Sequence, residues 1–482
     1  MRRRKFVSGI VKGGLLLSAA GSDAFASTIF SKAKQYAGWE VKQFKDKGLA
    51  HFSYAVTVDD KIVLVDPGRD PGTYLDYAAH KKARIIAVIE THPHADFVSA
   101  HLQLHKLTGA AVYTSGKTKT HYTSVPFDEG DILPVSAGIS FRAMNTPGHA
   151  PDGISAILHA HGKDVAVFSG DSLLIGDVGR PDLREYSGDV PAQRQVLAAQ
   201  MYHTIWNKFA PLPADVILYP AHGAGSLCGK SIRDADQSTI GYEKVHNYAF
   251  EKRTEKEFVS LILSDLPEVP AYFPYDVALN IKGAENFDAA FAAVLFEADN
   301  FLPAPGDIVI DARPEELYKK SHLKNAYNIP DGGKFETWLG SIVHPEEGFY
   351  LTAADKPALL SLLGKAAKIG YEYLVKAAFV YNSTSGEQSL ELDISDFEKN
   401  TSAYTIVDVR SAKEFAQHKI FPSAVNIPLN ELEAQYGRLP EGKPVLVHCA
   451  TGYRSAIGSS ILTRLLPNQR VYDLGTRVSS HF

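Results

Sequence analysis

The chain has 482 residues, 45% of them hydrophobic and 22% charged, with a formal net charge of −5. That composition excludes a disordered chain and leaves room for about three domains of roughly 150 residues each. No broad basic field argues for a nucleic-acid partner, and two cysteines, Cys228 and Cys449, exclude a disulfide framework.

The first residues, "MRRRKFVSGIVKGGLLLSAAGSDAFAS", join a basic head (Arg2, Arg3, Arg4, Lys5) to a mildly apolar run. Ala24-Phe25-Ala26 offers a small-x-small cleavage site before Ser27. Lys12 and two glycines interrupt the run, which is too weak and short for a membrane span, and no later segment is apolar for long enough. "RRKFV" resembles the twin-arginine export signal. Residues 1–26 are therefore read as an export signal peptide and a periplasmic location is expected, with a mitochondrial or cytoplasmic location as the alternatives.

From about residue 50, apolar strands alternate with polar loops. "KIVLVDPG", "RIIAVIETHPH", "ISFRAMNTPGH", "DVAVFSGD" and "DVILYPAHG" each read as a buried strand ending in Gly, Pro, Asp or His. The clearest helix is Asp189 to Trp206, with Asp189 as N-cap and Pro191 in its first turn. Strand ends that gather on one edge of a sheet let their loops share one site.

Those loops carry metal-ligand residue types. "THPHAD" holds His92, His94 and Asp96, "NTPGHAPDG" holds His149, "FSGDSLL" holds Asp171 and "LYPAHGAGS" holds His222. Imidazoles and carboxylates together suit first-row transition metals. In order and spacing these segments resemble the metallo-β-lactamase superfamily over roughly residues 35 to 255, and "GDVGRPDL" after Asp171 resembles its persulfide dioxygenase branch. The resemblance implies one Fe(II) per chain, held by His92, His149 and Asp171. His94, Asp96 and His222 would orient ligands from outside the coordination sphere. Binuclear zinc hydrolases of the superfamily place a second-site His where this chain has Phe97, which has no lone pair to offer; a mononuclear site is expected, with Phe97 walling the pocket. Arg180 would face the anionic part of a thiol substrate, and Cys228, in a glycine-rich loop, is a candidate for handling its sulfur.

A boundary is expected near residues 260–280, where "SDLPEVPAYFPYD" is rich in Pro and turn residues. Beyond it the sequence repeats. "DIVIDARPEELYKKSHLKNAYNIP" (Asp307 to Pro330) echoes "YTIVDVRSAKEFAQHKIFPSAVNIP" (Tyr404 to Pro428). Two copies predict two related α/β domains. In the second, "PVLVHCATGYRSAIGSSIL" reads as strand, short loop and helix, with Cys449 at the strand end and Arg454 opening the helix. Both a helix N-terminus and an Arg stabilise a thiolate. With "IVDVRSAKEF" and "AVNIPL" this segment resembles the rhodanese sulfurtransferase family over residues 385 to 482. The tail "VYDLGTRVSSHF" departs from the usual Gly-Gly and Trp ending. The first copy has no Cys and is expected to be a pseudo-rhodanese.

The predicted architecture is α/β: a metallo-β-lactamase αββα sandwich at 27–265, a pseudo-rhodanese domain at 275–380 and a rhodanese domain at 385–482. The order of domains implies oxidation of a thiol persulfide by dioxygen to sulfite, coupled to transfer of persulfide sulfur to sulfite by Cys449 and Arg454. A homo-oligomer is expected. The alternatives are a zinc-dependent thioester hydrolase of the glyoxalase II type and a non-catalytic sulfur carrier.

Overall fold

The structure is a computed structural model that describes residues 34–184 and 193–481. The expected signal at 1–26, and Asp189 and Pro191 of the predicted helix, lie outside the described residues. The helix is seen from Arg194 to Thr204.

Two sheets face each other in the N-terminal half. Seven strands between Lys34 and Pro126 lie in chain order in one, and six strands between Ile132 and Thr239 form the other. Period-two geometry explains the unbroken apolar runs. In the strand Lys61–Val65, Val63 and Val65 face the partner sheet with Tyr54, Val56, Phe141 and Phe168. Ile62 and Leu64 face outward and are covered by Tyr74, Tyr77 and Leu104 of the helices Gly72–Lys81 and His101–Thr108. The helices Arg194–Thr204 and Glu255–Leu263 cover the other sheet through Leu197's neighbours Ala198 and Met201 and through Phe258 and Ile262. The result is the expected helix–sheet–sheet–helix sandwich. The five strands predicted around the ligand loops are all present. No helix among the described residues is long and apolar enough to cross a membrane.

The chain does not leave this sandwich by a free tether. Pro274 near the start and Gly283 at the end delimit a helix, Phe273–Lys282, that packs back against the ligand loops. Phe273, Val277 and Ile281 recur at helical spacing and are buried in one stripe; Asp276 and Asn280 lie on the adjoining stripe and are buried too.

Two four-stranded parallel sheets follow. One runs Tyr327–Asn328, Ile308–Asp311, Phe349–Ala353, Val375–Val380; the other runs Val425–Asn426, Thr405–Asp408, Val445–His448, Val471–Asp473. The repeated sequence motif has one structural job in both. Arg313 grips Asp311 and donates to Ser321 O, while Asn328 donates to the carbonyls of residues 311 and 313. Arg410, Asp408, His418 and Asn426 repeat every one of these bonds. The Asp-x-Arg and Asn residues therefore fasten the strand end, and their buried charges are matched internally.

Candidate metal centre and cysteine loop

The loop after strand Arg84–Ile89 is pinned at its start. The backbone N–H and hydroxyl of Thr91 both donate to Asp66, at 2.8 and 2.9 Å. With its proton given to Asp66, the Thr91 oxygen accepts from His92 Nδ1, 3.0 Å away, and leaves His92 Nε2 as the lone-pair nitrogen. His149 Nδ1 donates to Arg180 O at 2.8 Å, which frees its Nε2 in the same way. The two Nε2 atoms lie 3.8 and 3.5 Å from Asp171 Oδ2. Among the described residues, neither His92 Nε2 nor Asp171 Oδ2 has a hydrogen-bond partner, although both are buried. Gly179 makes this closeness possible: a Cβ there would sit 2.2 Å from Asp171 O and 2.8 Å from His149 Nδ1.

His222 secures the carboxylates. Its Nδ1 donates to Asp171 Oδ1 at 2.7 Å and its Nε2 to Asp96 Oδ2 at 2.8 Å. Burial disfavours the charged ring, but Asp171 and Asp96 outweigh it and hold His222 protonated well above the usual histidine range. Burial likewise opposes the charge on Asp171, yet His222, His149 and His92 keep it ionised well below the usual carboxylate range. Burial drives His92 and His149 the other way, toward the neutral form. Neutral imidazoles and an ionised carboxylate are the states a metal requires. The donor set of His92, His149 and Asp171 therefore fits a first-row divalent ion.

His94 and Asp96 also lie at the site. His94 Nε2 is 3.2 Å from Asp66 Oδ1, and His94 shares a candidate metal group with His92 and Asp171. Phe97 is 1% exposed, with its ring centroid 3.8 Å from that of His51 and 4.4 Å from that of His94. Cys228 is buried, and burial pushes its thiol far up. Its sulfur, His222 and Asp96 nevertheless present donor atoms within 4.8 Å of one another, as do His149, Asp171 and Cys228.

The Arg180 guanidinium is bound bidentately by Asp182, at 2.7 and 2.5 Å, and also donates to Pro267 O; its Nη1 is buried with no hydrogen-bond partner among the described residues. An acidic residue two positions on captured the cation. Arg184, paired with Asp152 at 3.0 Å, also acts on the ligands: its field adds to the burial that lowers His92 and His149.

Cys449 follows strand Val445–His448, and its Sγ accepts from Gly452 N at 3.2 Å. Gly452, with φ of 101°, turns the chain into the helix Tyr453–Leu465. Arg454 stands in the first turn of that helix, where Glu414 takes both of its outer nitrogens at 2.7 Å and its charge is felt by Cys449. The Arg454 hydrogen bonds pull Glu414 down to about 2, and Ser411 supports it through a capping box. Thr91, His51, Arg184, Asn280 and Glu414 were not singled out in the sequence. Only Glu414, in the capping pattern "SAKE", carried a local signal.

Residues 46–222 match the metallo-beta-lactamase superfamily model and residues 393–478 the rhodanese-like domain model. The chain is 27% identical over 139 residues to human mitochondrial persulfide dioxygenase ETHE1, spanning 29% of this chain and 49% of that protein. It is 29% identical over 175 residues to hydroxyacylglutathione hydrolase of Tolumonas auensis, spanning 36% of this chain and 61% of that one. A metallo-beta-lactamase crystal structure from Staphylococcus aureus is similar at 28% identity and a TM-score of 0.63, covering 71% of this chain and 99% of that one.

Proposed function

We propose that this chain, which joins a metallo-β-lactamase domain to a C-terminal rhodanese-like domain, oxidises a low-molecular-weight thiol persulfide with dioxygen at one iron and passes sulfur from a second persulfide to the sulfite formed. One observation carries the reading: the buried donors His92 Nε2 and His149 Nε2 converge from two loops on Asp171 Oδ2 of a third, and the loop that carries His92 has the apolar ring of Phe97 beside its polar residues. Two imidazoles and one carboxylate leave open positions, the pattern of non-haem iron(II) oxygenases. Bound there, iron(II) supplies redox chemistry toward dioxygen and Lewis acidity toward the persulfide sulfur. The oxidation balances as persulfide, dioxygen and water giving thiol, sulfite and two protons.

The chain's own groups prepare this site. Thr91 and the carbonyl of Arg180 set both imidazole tautomers, and His222 occupies one oxygen of Asp171 so that the other faces the site. At the other centre, the Cys449 thiolate attacks the outer sulfur of a persulfide. The persulfide bond breaks, thiol leaves and a Cys449 persulfide forms. Sulfite then takes that outer sulfur, giving thiosulfate and restoring the thiolate. The Gly452 N–H and the helix N-terminus stabilise the anion, and Glu414 positions Arg454 beside it.

The middle sheet is read as a scaffold that has lost this chemistry. Asp408 pairs with His448 and Asp311 with Thr352, so Ala353 stands in the register position of Cys449. Asp355 caps the next helix through Ala358 N, filling the place an anion would take with a carboxylate.

A zinc-dependent thioester hydrolase is the second reading, favoured by the Asp96, His222 and Cys228 group. It requires His222 to release a carboxylate and Cys228 to ionise against its burial. Metal analysis combined with oxygen uptake on glutathione persulfide tests both. One iron per chain with uptake supports the dioxygenase. Two zinc ions with thioester hydrolysis and no uptake would overturn it, and neither metal nor uptake would leave a sulfur carrier.

A further inference from the structure

We infer that Asn280, on the helix that follows the sandwich, is a positioning residue of the metal centre. The inference rests on the metal-centre reading above and extends it to a residue outside the metallo-β-lactamase match at 46–222.

The segment between the ligand His92 and the helix beginning at His101 holds its shape with bonds that come from elsewhere. Asn280 Oδ1 accepts from Ser99 N, and Asn280 Nδ2 donates to both His94 O and Phe97 O, each at 2.8 Å. Val98 N donates to Lys368 O at 2.7 Å, and Ala100 N to Gly68 O at 3.2 Å. Asn280 is 3% exposed. A carboxamide is the small group that offers two N–H donors and a carbonyl acceptor on one plane. Asp at this place keeps the acceptor and loses both donors; Leu loses all three bonds at nearly the same volume.

The carbonyls that Asn280 grips flank Asp96, the partner of His222, and begin two residues after His92. A shift of this backbone moves His92 and relaxes the Asp96–His222–Asp171 chain together. Groups outside the coordination sphere that fix ligand orientation commonly govern metal affinity by 10- to 100-fold. Asn280 does so through the backbone, from a helix that sequence position alone does not connect with the site.

Co(II) serves as the probe, because its binding and absorption spectrum report coordination geometry without turnover. In the full chain, Asn280→Leu is expected to weaken Co(II) binding by on the order of tenfold and to alter the visible spectrum. Asn280→Asp is expected to fall between it and the parent. Thiosulfate formation from persulfide and added sulfite, which takes place at the Cys449 centre, is expected to stay at the parental rate in both. Parental Co(II) affinity and spectrum in both variants would overturn the inference. So would a parallel loss of Co(II) binding and sulfur transfer in both, which would assign Asn280 to general folding. A parent chain that binds no Co(II) would remove the metal-centre reading and this inference together. A parent that binds Co(II), responds to Asn280 as expected and takes up no oxygen as the iron form would remove only the dioxygenase reading.

Discussion

Arg69 and Glu372 lie 303 positions apart in the chain yet meet at 2.6 Å with side chains 1% and 0% exposed. Arg69 also donates to Glu285 O at 3.0 Å, and its neighbour Gly68 accepts the Ala100 N–H at the far end of the metal loop. The pair thus ties the N-terminal sandwich to the middle sheet next to the site. Glu372→Gln keeps the shape and an acceptor but leaves the Arg69 charge buried and unmatched. Breaking one side of such a pair costs about 3–5 kcal/mol. At about 1.36 kcal/mol per factor of ten, that raises the opened population of the interface by roughly two to four powers of ten. Amide hydrogen exchange reads this at Val98, whose N–H bonds Lys368 O across the same interface. Replacing both partners by apolar residues (Arg69→Met with Glu372→Met) removes the unmatched charge, so most of the lost protection is expected to return. Protection of Val98 within about threefold of the parent in Glu372→Gln, or a double variant no better than the single, would refute the electrostatic argument.

Cys449→Ser is expected to take up oxygen with a persulfide but to release sulfite, and Asp171→Ala to lose oxygen uptake while still making thiosulfate from persulfide and sulfite; product chromatography checks both. Glu414, held at about 2 by Arg454, has a folded value below its usual 4.5. Its contribution is therefore present above pH 4.5 and fades as the pH falls toward 2. Alkylation of Cys449 after brief acid exposure should reveal a step in that window that Glu414→Gln lacks. We propose export as well: the "RRRKFV" head and "AFA" site give a mature chain beginning near Ser27, which N-terminal sequencing of protein from the native cell checks.

What the sequence made legible was local. The strand runs announced themselves because both sheet faces are covered, and His92, His149, Asp171, His222 and Cys449 each stand at a strand end, where a loop can bring them together. The Asp-x-Arg repeat was visible as a pattern, but its role as a strand-end clamp needed the bonds from Arg313 and Arg410 to be seen. The pairing of Arg180 with Asp182 was not legible, because a sequence motif does not say which neighbour a long side chain binds. Asn280, Lys368 and Glu372 left no trace, since each acts on a segment roughly 180 to 300 residues earlier and has no motif of its own.

The same long-range packing accounts for the apolar residue in a loop of ligands. Phe97 and Ala95 belong to one buried cluster with Tyr272, Phe273, Val277 and residues of both C-terminal sheets. The loop is thus covered by later parts of the chain, and position 97 lies in their shared core. An imidazole there would exchange the burial of a large apolar ring for a polar group needing partners. Phe97 instead packs on His51 and His94 and leaves Asp96 to be bonded by His222. Docking the middle sheet and keeping an apolar ring at position 97 are then two aspects of one arrangement. The loop's backbone, held in place by that interface, leads from His92, whose Nε2 faces Asp171 beside His149.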